Sequence, residues 1–258
     1  MIYSGIDAGS RAIKIVLLQK PDKVLAYETA PQGPLPAQHV QELYDRVLAR
    51  QGLDGDDVRY VVATGYARSN VKFADATITE ITCHAAGVHH LLPEVRTVVE
   101  IGGQDSKLLW LSQAGTVRDF TMNDRCAAGT GRFLELVASR MERTMDELGP
   151  LAAASVNPAA ISSMCAVFAE TEIVGLLASG RLCQDIVAGV QQAVASRIAA
   201  MAGGDVTPPL AFTGGVAMVA GMDKALAAAL EQPVIVPERP QFTGALGAAL
   251  LARMEGLK

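Results

Sequence analysis

One short pattern occurs twice in this chain, and it constrains the fold more than any other feature. The apolar run of residues 2–6 leads into Asp7-Ala8-Gly9-Ser10, and the apolar run of residues 97–101 leads into Gly102-Gly103-Gln104-Asp105. A second apolar strand follows each turn. The aligned pairs, each 93 positions apart (7 to 100, for example), are Asp7 with Glu100, Gly9 with Gly102, and Lys14 with Lys107. A shared offset for an acid, a glycine and a lysine predicts a duplicated unit.

Segments with helical periodicity follow each repeat, so the chain predicts the α/β class. Apolar residues recur at helical spacing within residues 39–50. Further helices are predicted over residues 131–145, 165–179, 182–201, 222–230 and 244–254. Strand hairpins followed by helices, twice over, predict two α/β domains around a cleft. The first domain is predicted to span residues 1–94, completed by a C-terminal helix at about 240–258, and the second to span residues 95–239.

Composition argues against several classes of protein. Half of the 258 residues are hydrophobic and the net charge is only -5, so a globular protein without the basic surface of a nucleic-acid binder is predicted. The sequence has no run of about 18 apolar residues and no basic segment before an apolar run at its start, so neither a membrane span nor a secretory signal is expected. A cytoplasmic protein is predicted, in which the four cysteines are reduced thiols.

The two turns have the composition of phosphate-binding loops. A glycine without Cβ, such as Gly9 or Gly102, lets backbone N–H groups approach a phosphate, and the carboxylate of Asp7 can hold Mg²⁺ through water. Alone, such a turn is more typical of an ordinary hairpin; the second copy favours a triphosphate held from both halves. Paired glycines after a later apolar strand, Gly214 and Gly215, are suited to a nucleoside. This order of motifs resembles the duplicated nucleotide-binding fold of the actin, sugar-kinase and Hsp70 superfamily, which implies ATP.

Two of the four cysteines stand at predicted helix starts. A polar stretch precedes Cys126 and Cys165 and a helical stretch follows each of them, and the dipole of such a helix stabilises a thiolate. A cuboidal iron–sulfur cluster takes four thiolates, so two per chain suit a cluster on the two-fold axis of a homodimer. The alternative for both is packing as small hydrophobic residues. Packing is the prediction for Cys183 and for Cys83, although His84 beside Cys83 leaves a metal site as its alternative.

Four segments are more specific than the superfamily pattern. They are Glu100–Lys107 (EIGGQDSK), Met122–Phe133 (MNDRCAAGTGRF), Cys165–Glu170 (CAVFAE) and Phe212–Ala217 (FTGGVA). Together they resemble the activators of 2-hydroxyacyl-CoA dehydratases, a family that includes the ATPase subunits of benzoyl-CoA reductase. The resemblance implies one [4Fe–4S] cluster per homodimer, held by Cys126 and Cys165 of each copy, and ATP or ADP with Mg²⁺. It also implies a ferredoxin or flavodoxin as electron donor and a dehydratase or related reductase as partner.

These features assign expected roles to individual residues. Asp7 positions magnesium and water, Glu100 is its counterpart, and Gln104 or Asp105 orients the attacking water. The residues expected to bind the nucleotide are Gly9, Ser10, Arg11, Lys14, Gly102, Gly103, Gly129, Thr130, Gly214 and Gly215. Lys14 and Lys107 are weaker candidates, because a lysine on a strand after a turn is usually a solvated charge. The chain departs from the family pattern at Glu100, often aspartate, at Arg11, commonly a small or hydroxyl residue, and at Ala67, usually glycine.

Other functions fit parts of the same pattern. A benzoyl-CoA reductase subunit, or a reductase of another low-potential iron–sulfur protein, would carry the same motifs. A dehydratase activator is favoured because one short chain supplies both cysteines and the whole fold. Outside the family, a sugar kinase of the same superfamily would need ATP but no iron, and a nucleotide-gated interaction module would not hydrolyse ATP.

Overall fold

The computed structural model of the chain describes residues 1–162 and 165–257. The chain divides into two compact units. The first unit comprises Met1–Val95, Leu111–Arg118 and Gln241–Lys258, and the second comprises Arg96–Trp110 and Asp119–Pro240. Among the described residues, none of the helices combines the length and apolar character needed to cross a lipid bilayer.

Strands form two five-stranded sheets with the same topology. In chain order they are β1 (Ile2–Ala8), β2 (Ala12–Gln19), β3 (Lys23–Pro31), β4 (Val58–Thr64), β5 (Ala76–Thr77), β6 (Thr97–Ile101), β7 (Ser106–Leu111), β8 (Val117–Asn123), β9 (Leu210–Thr213) and β10 (Val234–Ile235). The sheet orders are β3-β2-β1-β4-β5 and β10-β9-β6-β7-β8. In each, the first strand is antiparallel to the second and parallel to the fourth. The duplicated unit predicted from the repeat is therefore present as a duplicated sheet.

Helices in the described residues flank these sheets. They are α1 (Pro36–Arg50), α2 (Glu80–Leu91), α3 (Gly131–Arg140), α4 (Met145–Ala153), α5 (Ala166–Ala178), α6 (Cys183–Ala202), α7 (Met222–Leu230) and α8 (Thr243–Glu255). Short 3-10 turns lie at Gly55–Asp57, Arg68–Asn70, Ala127–Gly129, Gly215–Met218 and Pro240–Phe242. The insertion that carries α3 to α6 separates β8 from β9 and contains the two cysteines at predicted helix starts.

The prediction of one helix over residues 131–145 was wrong. The structure has two helices there, because α3 ends at Arg140 and α4 begins at Met145. Glu142, between them, has a left-handed φ of 52°, which interrupts an α-helix. A capping box then starts α4, in which the Thr144 backbone N–H donates to the Glu147 carboxylate at 2.7 Å.

Glycines allow α8 to pack closely in the first unit. A Cβ added at Gly87 of α2 would lie 2.0 Å from the C=O oxygen of Thr243, and one at Gly247 of α8 would lie 1.7 Å from that of Cys83. On the sheet side, a Cβ at Gly5 of β1 would lie 2.0 Å from the Ala245 C=O oxygen. Real Cβ atoms do not come this close to backbone. Close contact of α8 with α2 and β1 fixes the segment at the start of α8.

The second unit has its own core beneath the second sheet. Side chains from the sheet, such as Ile101 and Phe212, pack with Phe133 of α3 and with Val190 and Val194 of α6. All five of these side chains are fully buried. The start of α3 is thereby fixed against the end of β6, where the second turn of the repeat lies.

Candidate functional site

The Asp7 turn, residues 8–11 between β1 and β2, carries a buried acid. Asp7 lies opposite Lys14 on β2 and Thr64 on β4. Its Oδ2 accepts a hydrogen bond from Lys14 Nζ at 3.0 Å. Gly65 follows β4 with a left-handed φ of 92°, and a Cβ there would lie 2.5 Å from Asp7 Oδ1. Only glycine permits both that backbone and that approach to the carboxylate.

The Glu100 turn, residues 102–105 between β6 and β7, repeats this arrangement in the second unit. Lys107 Nζ donates to Glu100 Oε2 at 2.9 Å and to Asp105 Oδ2 at 2.7 Å. Its side chain is only 2 % exposed, so the expectation of a solvated lysine was wrong for Lys107. Gly214 follows β9 with φ 89°, and a Cβ there would lie 2.7 Å from Glu100 Oε1.

A second matched pair, Thr64-Gly65 and Thr213-Gly214, was missed in the sequence. Asp7 pairs in register with Thr64, and Glu100 pairs in register with Thr213. In each unit the glycine after this threonine then contacts the acid. The signal was a Thr-Gly step at the end of an apolar strand in each half. The two Thr-Gly steps do not share the repeat's offset of 93, because they are 149 positions apart (64 to 213). The cysteine-bearing insertion between β8 and β9 accounts for the longer spacing.

Residues predicted to bind phosphate lie on both turns. The N–H of Gly9 donates to the Ala12 C=O at 3.1 Å and closes the Asp7 turn. The N–H of Gly102 donates to the Asp105 C=O at 2.9 Å and closes the Glu100 turn. The other predicted residues on the turns are partly or fully exposed: Ser10, Arg11, Gly103 and Gln104. Each turn therefore offers backbone and polar side chains to a ligand within its own unit.

The first residues of α3, which follow Cys126 closely, are hydrogen-bonded to the Glu100 turn. The N–H of Gly131 donates to the Gly102 C=O at 2.8 Å, and the N–H of Arg132 donates to the Gly103 C=O at 2.9 Å. Gly129 and Thr130, predicted to bind nucleotide, are buried immediately before these residues. The structure thus brings Gly129 and Thr130 beside the Glu100 turn. Gly214 also lies there, against Glu100, while Gly215 after it is exposed.

Cys126 stands at a helix start, as predicted. It is the N-cap of the 3-10 turn Ala127–Gly129, with α3 directly after it, and its residue is half-buried. The side chain of Asn123 binds both polar backbone groups of Cys126, because Oδ1 accepts from its N–H at 3.0 Å and Nδ2 donates to its C=O at 2.8 Å. The backbone that carries this thiol is therefore held on both sides.

Cys165 also stands at a helix start, as predicted. It is the N-cap of α5, and it is exposed. Upstream of it, the N–H and hydroxyl of Ser162 donate to Glu172 Oε1 of α5 at 2.9 and 2.8 Å. Residues 163 and 164, which belong to the predicted cysteine segment, lie outside the described residues.

An ion pair joins the helices that follow the two cysteines. Arg140, the last residue of α3, pairs with Glu170 in α5. Glu170 thus makes an inter-helix contact. Cys126 and Cys165 are therefore connected through α3, this ion pair and α5.

The remaining cysteines differ from these two. Cys83 is fully buried in the first unit, and burial raises the pKa of its thiol to about 12. Packing was therefore the right prediction for Cys83. Cys183 is half-buried, packs against the core of the second unit and is the first residue of α6. Across residues 1–162 and 165–257, His, Cys, Asp and Glu side chains nowhere form a group of three or more placed to hold a metal ion.

The donor set fits the two groups that the sequence implied, in different ways. Two thiols at N-caps are half of the four that a cuboidal cluster takes, so one chain alone does not complete such a site. For a nucleotide, each unit supplies a glycine turn next to a buried acid paired with a lysine. Backbone N–H groups in such turns form the concave surface that binds anionic phosphate.

Comparisons with known proteins agree with the fold and with the family resemblance of the sequence. The activator of lactoyl-CoA dehydratase from Anaerotignum propionicum is 44% identical over 98% of this chain and 97% of its own. A benzoyl-CoA reductase subunit from Thauera aromatica is 33% identical over 96% of this chain and 92% of its own. Both relatives match along nearly their whole length.

Solved structures extend the comparison. The activator of the 2-hydroxyisocaproyl-CoA dehydratase from Clostridium difficile, solved with bound ADPNP, is 42% identical with a TM-score of 0.93, covering 100% of this chain and 96% of that one. A ROK family glucokinase from Streptomyces griseus covers 98% of this chain and 100% of its own with a TM-score of 0.61 at 13% identity, which shows the fold alone. The predicted fold class is confirmed by these neighbours. The family model for the BadF/BadG/BcrA/BcrD ATPases matches residues 4–252, so this chain belongs to the BadF/BadG/BcrA/BcrD ATPase family.

Proposed function

We propose that this chain hydrolyses ATP to drive a low-potential electron into a 2-hydroxyacyl-CoA dehydratase, and that two copies share one [4Fe–4S] cluster. The observation that carries the proposal is a pair of hydrogen bonds between the start of α3, shortly after Cys126, and the Glu100 turn. They join Gly131 to Gly102 and Arg132 to Gly103. The proposed phosphate-binding turn is thereby hydrogen-bonded to the residues that follow a candidate cluster ligand closely in the chain. Two relatives that are activators of dehydratases support the same function.

The nucleotide roles follow from the turns. Asp7 and Glu100, each held by a lysine and a glycine, position Mg²⁺ and its water, while the Ser10 hydroxyl and the turn backbone beside Gly9 and Gly102 bind phosphate. Asp105 is held by Lys107, whereas Gln104 is exposed and orients the attacking water. Gly214 and Gly215 receive the nucleoside. An ADPNP complex of a relative with the same fold supports nucleotide binding.

The cluster roles belong to Cys126 and Cys165. When bound, an iron–sulfur cluster supplies a one-electron carrier of low potential. The chain contributes two thiolates. Cys165 is stabilised by the N-terminal end of α5, which it caps, and Cys126 caps the 3-10 turn that leads into α3. Because two thiolates leave a cuboidal cluster half-ligated, a second copy completes the site, and the homodimer is the active form. A ferredoxin or flavodoxin is the proposed electron donor.

Coupling between nucleotide and cysteines runs through the second unit. A change at the Glu100 turn on hydrolysis is passed to Gly131 and Arg132, which begin α3. At its other end α3 is tied by Arg140 to Glu170, one turn into the helix that Cys165 caps. Both thiolates therefore respond to the state of one phosphate turn. This contiguous set of hydrogen bonds and packed helices is the kind of element that carries conformational change.

A second candidate from the same family is a benzoyl-CoA reductase subunit, favoured by the 33% identity to the Thauera aromatica protein. The higher identity to a dehydratase activator, 44%, makes the dehydratase the first choice. The kinase alternative has support from fold alone, at 13% identity. A kinase would also give no role to the two cysteines at helix starts.

An activation assay tests the proposal. Anaerobically purified, reduced protein is mixed with ATP, Mg²⁺ and the 2-hydroxyisocaproyl-CoA dehydratase of Clostridium difficile, and dehydration is measured. We expect activation by the wild type that requires ATP, and activation at background level by Cys126→Ser and Cys165→Ser. Cys183→Ser is the matched control, because Cys183 is also a half-buried thiol at a helix start.

The control defines the outcome that contradicts the proposal. If Cys126→Ser and Cys165→Ser activate the dehydratase as well as Cys183→Ser does, the cysteines carry no electron. ATP consumption that is unaffected by both substitutions and that phosphorylates a sugar would instead establish the kinase. A benzoyl-CoA reductase added in place of the dehydratase distinguishes the second candidate.

A further inference from the structure

A buried histidine lies beside the Asp7 turn and is absent from the predicted roles. His84 is on α2 and is only 5 % exposed. Its Nδ1 is 3.0 Å from the hydroxyl of Thr243, the first residue of α8, which is itself fully buried. One ring nitrogen is thereby fixed by a hydrogen bond to Thr243, and the orientation of the imidazole with it.

The other ring nitrogen and the Asp7 carboxylate both border the same face of Gly244. The position that a Cβ would take at Gly244 is 3.0 Å from His84 Nε2 and 3.6 Å from Asp7 Oδ2. The two polar atoms therefore border one point, next to a glycine that adds no side chain there. A bridging water makes hydrogen bonds nearly as favourable as direct ones, and it needs polar partners of this kind.

Other groups also border the two carboxylate oxygens of Asp7. Oδ1 is bounded by Gly65, and Oδ2 accepts from Lys14 Nζ at 3.0 Å. His84 borders the same point at Gly244 as this oxygen does, and it does so from α2 rather than from the sheet. All of these groups belong to the first unit. Asp7 Oδ2 is thus held by Lys14 and shares the face of Gly244 with His84.

We propose that His84 is a positioning residue for the Asp7 carboxylate in ATP hydrolysis, acting across the side-chain-free face of Gly244. The inference rests on the proposed role of Asp7 in nucleotide chemistry. Thr243 fixes the orientation of the imidazole, and the imidazole holds the rotamer of the carboxylate through a water at the face of Gly244. A carboxylate held in one orientation positions Mg²⁺ and water better than one that rotates, so the effect falls on the catalytic step.

Substitutions separate this role from simple packing. We expect His84→Gln to lower kcat for ATP hydrolysis about tenfold, the effect of one lost hydrogen bond, and to change the Kd for ADPNP with Mg²⁺ less than about twofold. Gly244→Ala places a methyl group at the shared point and should lower kcat similarly. His90→Gln, on the exposed face of the same helix, is the matched control and should leave both quantities unchanged.

Thr243 supplies a second, independent test in case His84→Gln fails to fold. Thr243→Val removes the hydroxyl at nearly constant volume and should lower kcat, whereas Thr243→Ser keeps the hydroxyl and should retain kcat. Equal kcat values for Thr243→Val and Thr243→Ser, or for His84→Gln and His90→Gln, would overturn the inference. A parallel loss of kcat, ADPNP affinity and thermal stability would overturn it too, since that pattern is a packing defect.

Failure of the inference and of the proposed function remain distinguishable. If the wild-type protein hydrolyses no ATP, the proposed function fails. If the wild type hydrolyses ATP and the His84 and Thr243 variants match it, only the inference fails.

Discussion

The two acids at the turns are each paired with a lysine, and the lysines differ in exposure. The Lys14 side chain is 18 % exposed, whereas that of Lys107 is 2 % exposed and contacts two carboxylates. An ion pair in contact with water is worth little, but removing one partner of a buried pair leaves an uncompensated charge. The additional methylene of Glu100, compared with aspartate, places its carboxylate between Lys107 and Gly214.

Lys107→Met should therefore destabilise the protein more than Lys14→Met. We expect Lys107→Met to lower the free energy of unfolding by about 3–5 kcal/mol, because the buried Glu100 carboxylate loses the positive charge of its lysine. Lys14→Met should cost clearly less, since water reaches that pair. Urea unfolding of the cluster-free protein measures both. Equal losses for the two variants would contradict the burial of Lys107.

A buried thiol predicts the direction of pH dependence. Burial raises the pKa of Cys83 from 9.0 to about 12, and burial likewise raises the pKa of Tyr44. A folded state that keeps its proton while the unfolded state loses it is destabilised as pH rises. Stability from Cys83 is thus fully present below pH 9 and is lost between about pH 9 and pH 12.

Cys83→Ala isolates this contribution. Between pH 8 and pH 10 the wild type should lose about 1.4 kcal/mol more stability than Cys83→Ala, and Tyr44 should account for part of what remains in both proteins. Urea midpoints measured under reducing conditions at several pH values give the comparison. Identical slopes for the two proteins would show that the Cys83 thiol ionises as readily folded as unfolded.

At the scale of elements, the position of α8 depends on glycines. A Cβ at Gly247 would lie 1.7 Å from the Cys83 C=O oxygen, whereas one at Gly175 of α5 meets no described atom within 4 Å. The same substitution should therefore act in opposite directions at the two positions. α8 also carries Thr243 and Gly244, so its seating on α2 decides where His84 is held.

Gly247→Ala should destabilise the protein by roughly 3 kcal/mol or more, because backbone of α2 or α8 must shift. Gly175→Ala should stabilise it by up to about 1 kcal/mol, the gain of alanine over glycine in a helix. Thermal unfolding of both variants is the measurement. A Gly247→Ala protein as stable as the wild type would contradict the close packing of α8 on α2.

Elements also show where sequence reasoning succeeds. The repeat predicted the duplicated sheet because a strand, a turn and the next strand are neighbours in the sequence. The placement of Cys126 and Cys165 at N-caps was predicted because the start of a helix has a local sequence signal. The match of Thr64-Gly65 with Thr213-Gly214 was missed because it depends on parallel pairing of strands far apart in the chain. Burial of Lys107 and the placement of His84 beside Gly244 were missed for the same reason. Both follow from tertiary packing, which no local pattern records.

At the scale of the whole molecule, the proposed function combines an ATPase fold with an iron–sulfur cluster that two copies share. Family membership and the ADPNP complex of a relative support the nucleotide. The proposal of a cluster is supported by two thiols at N-caps and by the hydrogen bonds between the start of α3 and the Glu100 turn. In the proposed function the cluster belongs to two chains, because each chain would supply two of four ligands. The cluster is therefore tested by stoichiometry rather than by activity.

The most direct measurement is iron, sulfide and mass on the anaerobically purified protein. We predict about four irons and four sulfides per two chains, in a species with the mass of a dimer. Cys126→Ala and Cys165→Ala should abolish the iron, while Cys183→Ala should retain it. Iron that is absent after anaerobic reconstitution, or four irons in each monomer, would contradict a cluster held between two copies.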